Sequence, residues 1–133
     1  MFANIIEGTV VIVALLVLAG CGKREISFAD DIMPILKANC VDCHDGKGEG
    51  VAKSGLDLKD YEHLMQGTKF GPVVVPGDSI SSTLYLVVSH RVDPRIQMPP
   101  HHDEALPQGR RPALNTDQIV AIRDWIDQGA VNN

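Results

Sequence analysis

The sequence predicts an all-α domain. Three stretches place apolar residues at three- and four-residue spacing, and each is bounded by a Ser, Thr, Asn or Asp suited to cap a helix or by a glycine suited to stop one. Length is a second observation, since 133 residues accommodate one core and no second large domain. Composition is a third: hydrophobic content is 44% but aromatic content only 5%, and much of the aliphatic total lies in the first 20 residues. What remains is a modest core, and a small chain of this kind gains from a bound group that completes its interior.

The N-terminus reads as an export signal. VVIVALLVLAGC, Val10 to Cys21, is too short for an ordinary membrane-spanning helix of about 20 residues but suits the apolar region of a signal peptide. Leu18, Ala19, Gly20 and Cys21 resemble a bacterial lipoprotein box, in which the cysteine becomes the lipidated first residue of the mature chain. The expected organisation is a signal over 1–20, a short linker over 21–25 and one domain over 26–133. Attachment to a membrane through lipid on Cys21, on the periplasmic side, follows from that reading. A short uncleaved anchor is the plainer alternative. The charge pattern is atypical for an export signal: no Lys or Arg precedes the apolar run, whereas Lys23 and Arg24 follow it.

SFADDIMPILKANC comes next, with Ile32, Ile35 and Leu36 on one helical face and Ser27 or Asp30 as the cap. Pro34 falls in the first turn if Asp30 caps and kinks the helix if Ser27 does. This helix delivers Cys40, the start of the most informative stretch, NCVDCHDG. A C-x-x-C followed directly by histidine is the signature of c-type haem attachment. Each thiol of Cys40 and Cys43 adds across a vinyl group on neighbouring edges of a rigid macrocycle, and His44 is then close enough to reach the iron. Two other chemistries compete for the motif. A structural zinc site needs four ligands and finds no second cysteine pair here. A dithiol redox pair wants the motif at a helix opening in a βαβ setting, and no such strand pattern surrounds Cys40.

Residues 45–55, DGKGEGVAKSG, read as a solvated polar loop without the acid spacing of a calcium site. LKDYEHLMQG predicts a helical turn or two ending at Gly67, with Leu64 and Met65 in the core. PGDSISSTLYLVVSH places Ile80, Leu84, Val87 and Val88 at helical spacing behind a cap at Asp78 or Ser79, with a β-strand as the rival for TLYLVV. NTDQIVAIRDWIDQGA predicts the closing helix, capped by Asn115 or Thr116, with Ile119, Ile122, Trp125 and Ile126 on one face and Gly129 as its stop.

Between these last two elements, RVDPRIQMPPHHDE offers Met98 beside Pro99 and Pro100, whose fixed torsions hold a neighbouring side chain in place. A thioether is a good second ligand for haem iron and raises its reduction potential relative to two nitrogen ligands. His90, His101 and His102 are rivals that would supply nitrogen instead. Core packing is the ordinary role for a methionine and describes Met33 and Met65.

Taken together, SFADDIMPILKANCVDCH, SGLDL, VVVPGDSISSTLYLVV, QMPP and LNTDQIVAIRDWIDQGA resemble, in order, the landmarks of the planctomycete-type cytochrome c domain from Ile26 to Ala130. The resemblance implies a compact helical fold with long irregular loops around one covalently attached haem c. It implies Cys40 and Cys43 as thioether sites, His44 as the proximal iron ligand and Met98 as the distal one. The stretch HHDEALPQGRRPA is longer than the family's usual connection at this point.

The functional expectation is an exported, lipid-anchored, mono-haem electron carrier, not an enzyme, that serves extracytoplasmic redox partner proteins. No nucleic acid is expected as a partner. From Cys21 onward the chain has 12 bases against 16 acids, the 17 of the whole chain less Glu7, for a formal charge of −4, where a nucleic-acid binder would show a basic stripe. A haem enzyme or small-gas sensor with a labile distal position is the alternative. A docking module that uses the 101–113 loop as its contact surface is a third reading.

Overall fold

The computed structural model describes residues 22–101 and 111–133. The expected signal segment, Cys21 and His102 lie outside the described residues.

Ser27 is the cap of the first helix: its Oγ accepts from the Asp30 N–H at 3.2 Å while its own N–H donates to the Asp31 carboxylate at 2.8 Å. The chain then makes a π-helical turn, Phe28–Ile32, and runs directly into α1, Met33–Asn39. Pro34 accounts for that turn. It lacks an N–H, and in a regular α-helix its ring meets the carbonyl four residues back; the wider turn immediately before it loosens the ladder at that point.

Residues 45–55 depart from the expected loop. Glu49–Ser54 form a helix, α2, closed by Gly55 in the left-handed region at φ 80°. Lys53 pairs with Glu49 at 2.6 Å across one turn. Polarity and glycine content concealed a helix whose packing partner is the CxxCH loop rather than an apolar stripe.

α3, Tyr61–Gln66, begins on an Asp60 cap and stops at Gly67. Leu64 is fully buried there and Met65 half-buried against the core. TLYLVV is a helix, α4, Thr83–Val88, and not a strand. Its cap position is Ser82, later than the expected Asp78 or Ser79, so Ile80 falls in the preceding turn and is 58% exposed. Asp78 instead closes that turn by accepting from the Ser81 N–H and hydroxyl at 3.0 and 2.6 Å. The buried Ser82 hydroxyl accepts from the Val75 N–H and donates to the Asp78 carbonyl, at 2.8 and 2.7 Å.

α5, Thr116–Asp127, carries a full capping box between Asn115 and Gln118. Its apolar face supplies Ile122, Trp125 and Ile126, which with Ile32, Leu36 and Leu64 form the fully buried centre of the core. Trp125 is a core residue. Its ring lies 5.5 Å from Phe28 and 6.5 Å from Tyr61, and its indole N–H donates to the Val131 carbonyl at 3.0 Å. Among the described residues, β structure is limited to a bridge between Thr68 and Gly71, so the architecture is helical. No helix among the described residues is long and apolar enough to cross a membrane.

Residues 23–26 are laid against α5 and the first helix. Lys23 pairs with Asp124 at 3.0 Å, and Arg24 with Asp31 at 2.9 Å. Gln128 bonds the Ile26 N–H and the Arg24 carbonyl, at 2.8 and 3.1 Å. That bracing leaves the far end of α1, α2, α4 and the segment after α4 to frame a cavity.

Candidate haem site

α1 ends on Cys40, whose N–H donates to the Leu36 carbonyl at 2.8 Å. The chain then turns tightly: the Cys43 and His44 N–H groups both return to the Cys40 carbonyl, at 3.1 and 3.0 Å. Two later segments close on this turn. The Gly50 N–H at the start of α2 donates to the Cys43 carbonyl at 2.8 Å, and the Leu58 N–H to the His44 carbonyl at 2.7 Å. The His44 ring is oriented by its Nδ1, 3.0 Å from the Leu56 carbonyl. A carbonyl only accepts, so Nδ1 carries the proton and Nε2 keeps its lone pair for a metal.

The close approach depends on two glycines. A Cβ on Gly48 would stand 2.2 Å from the Cys43 carbonyl oxygen, and one on Gly50 would stand 2.6 Å from both Cε1 and Nε2 of His44. α2 can lie over the motif only because both positions lack side chains.

Cys40, Cys43 and His44 line a cavity of about 670 Å³, and Met98, Pro99 and Pro100 stand in the same wall. Leu56, Leu58, Val73, Leu84, Val87 and Ile96 supply its apolar surface. Met98 is held from the α4 side by its N–H, which donates to the Val87 carbonyl at 3.1 Å. Before it, a 3-10 turn at Pro94–Ile96 is capped by Asp93, and the Gln97 amide donates to the Val92 carbonyl at 3.0 Å. His90 and His101 stack on each other with ring centroids 4.5 Å apart, and neither is among the residues lining the cavity. Burial pushes the His90 imidazole below its usual value, and the neighbouring His101 adds to the effect.

Electrostatics separate the three chemistries left open by the motif. Desolvation, reinforced by Cys43, pushes the Cys40 thiol up to about 12. A dithiol redox pair works through a thiol whose pKa is lowered, so this environment opposes that reading. Among the described residues no group of three or more His, Cys, Asp or Glu side chains is placed to hold a metal ion. The cavity does suit a haem: it falls within the roughly 300–1,000 Å³ range of cofactor sites. Its wall is largely apolar, and it brings two thiols, an imidazole with a free Nε2 and a thioether to one space.

Residues 40–102 match the family model described as Planctomycete cytochrome C. Over those residues the chain is similar to the planctomycete cytochrome C family, which supports the resemblance read from the sequence. The match starts on Cys40 and ends beyond Met98, so it takes in the whole motif, α2 and the methionine loop. The π turn, α1, α5 and Arg111 lie outside it, although the resemblance in sequence runs from Ile26 to Ala130. No curated relative and no solved structure matches the chain.

Four contributors to the site were not apparent from sequence. Gly48 and Gly50 sat in a stretch read as solvated, and their spacing after His44 was the available signal. The Leu56 carbonyl acts through the backbone, which residue type does not report. Arg111 reaches Asp42 across 69 positions, a pairing no local pattern contains.

Proposed function

We propose that this protein is an exported mono-haem c-type cytochrome that carries single electrons between extracytoplasmic redox partners without changing substrate bonds. Cys40 and Cys43 hold the haem through thioether links, His44 Nε2 serves as proximal ligand and Met98 as distal ligand. When bound, haem supplies a one-electron iron couple. The protein keeps the His44 proton on Nδ1 through Leu56, excludes water with the apolar wall and holds the thioether in a proline-braced loop. Lipid on Cys21 tethers the domain to the periplasmic side of a bacterial membrane.

The observation that carries this reading is the presence of Met98 in the wall of the cavity that Cys40, Cys43 and His44 line. An internal ligand held in place by its loop closes the iron to outside molecules, which suits a carrier. The charged side chains of the wall have ion-pair partners among the described residues: Lys53 with Glu49, Arg95 with Asp93 and Arg111 with Asp42.

Protein matured in a host that attaches haem is expected to retain the haem mass after denaturation. It should show a methionine–iron band in the oxidised spectrum that Met98→Ala abolishes. Rapid carbon monoxide binding by the unsubstituted protein, with no change on Met98→Ala, would refute the carrier reading in favour of an open iron site.

A further inference from the structure

The attachment motif and the methionine loop are 54 positions apart at His44 and Met98, and one side chain outside the family match joins them. Arg111 stands where the chain rejoins the described structure. Its N–H donates to the Pro100 carbonyl at 2.7 Å, and its guanidinium Nη2 pairs with the carboxylate of Asp42, which lies between the two attachment cysteines. The same residue lines the cavity. A continuous set of contacts therefore runs from Asp42 to Arg111 to Pro100 and on to Met98.

We propose that Arg111 is a positioning residue that holds the methionine loop against the attachment loop and so keeps Met98 in place as a ligand. The inference rests on the reading of Met98 as the distal ligand. A methionine side chain is flexible and its thioether is an easily displaced ligand, so its retention depends on how firmly its backbone is held. On the N-terminal side Met98 is fixed through Val87 and the Gln97 amide. On the C-terminal side Pro99 and Pro100 have no N–H to donate. The loop is held there through carbonyls, with His101 Nδ1 2.7 Å from that of Pro99 and the Arg111 N–H on that of Pro100. The Arg111 contact is tied in turn to the haem-bearing turn through Asp42. Arginine suits the task because its planar fork keeps direction as well as charge, which lysine does not.

The test titrates ferric holoprotein with imidazole, which competes for the methionine's position, and follows loss of the methionine–iron band. Arg111→Gln and Asp42→Asn should each raise the apparent imidazole affinity about five-fold, the scale of a half-exposed ion pair. Arg111→Lys should recover part of the effect, and the double substitution should add little to either single one. Unchanged affinity in both single variants overturns the proposal. Amide hydrogen exchange at Met98 in the same holoproteins gives a readout independent of ligation: faster exchange in Arg111→Gln supports the tie, and the parent rate overturns it. If Met98→Ala leaves the parent spectrum intact, the ligand reading fails by itself, and the exchange rates decide whether Arg111 holds the loop.

Discussion

Gly48→Ala tests the packing of α2 on the haem motif, because two physical effects give opposite signs. Gly48 has φ −66° and ψ 156°, a conformation any residue adopts. On backbone grounds alone alanine would therefore stabilise the fold by about 0.4–1 kcal/mol through the unfolded chain. The contact geometry argues the reverse. The new Cβ would lie 2.2, 2.5 and 3.1 Å from the oxygen, carbonyl carbon and Cα of Cys43, all backbone atoms of the CxxCH turn. Neither backbone can yield without moving α2 or Cys43, and such overpacking costs about 1–3 kcal/mol. The net expectation is a loss on the order of 1–2 kcal/mol, or a melting temperature lower by about 4–8 °C for a domain of this size. Thermal unfolding of the holoprotein, followed by haem absorbance and by Trp125 fluorescence, measures it. A variant as stable as the parent, or more so, would refute the close packing of α2 on the motif.

Three other outcomes are expected. Hydrogen bonds from Arg24, then from the Ser27 N–H, hold the Asp31 carboxyl below the usual carboxylate range. A lowered folded-state pKa contributes stability above the unfolded value of about 3.9 that is lost as pH falls through the folded one; Asp31→Asn should flatten the pH dependence of the urea midpoint below about pH 4 and leave a constant deficit at neutral pH. Asn115→Ala removes the capping box of α5 and should cost about 1 kcal/mol in urea unfolding, with an unchanged haem spectrum because α5 does not line the cavity. Tyr61→Phe removes the 2.9 Å bond to the Ala130 carbonyl and should cost about 0.5–1.5 kcal/mol; no loss would mean that water satisfies that carbonyl.

The closing helix, the core face of Ile122, Trp125 and Ile126 and the helix before Cys40 were legible because their caps and apolar spacing are local. As caps and stop, Ser27, Asn115 and Gly67 act on residues within a few positions of themselves, so the chain narrows each cap to two candidates and names the stop. The CxxCH motif was legible for the same reason: its chemistry is contained in five consecutive residues. α2 was misread because its stability comes from packing on the motif, and a six-residue polar helix with an internal glycine has no stripe to announce it. The start of α4 was placed too early because Asp78 and Ser79 are good caps in isolation. The Asp78 side chain is instead engaged by the turn that Ser82 stabilises from within.

Sequence by itself determined the CxxCH motif, the helical class and the place of the last helix, since each follows from chemistry or hydrogen bonding between near neighbours. Tertiary structure alone decided that Met98 shares a cavity with His44 while His90 and His101 stand outside its wall. It also decided that Leu56 orients the His44 imidazole, that Gly48 and Gly50 admit α2, and that Arg111 closes on Asp42. Those contacts join segments far apart in the chain, and their geometry exists only once the core formed by the first and last helices has brought the segments together.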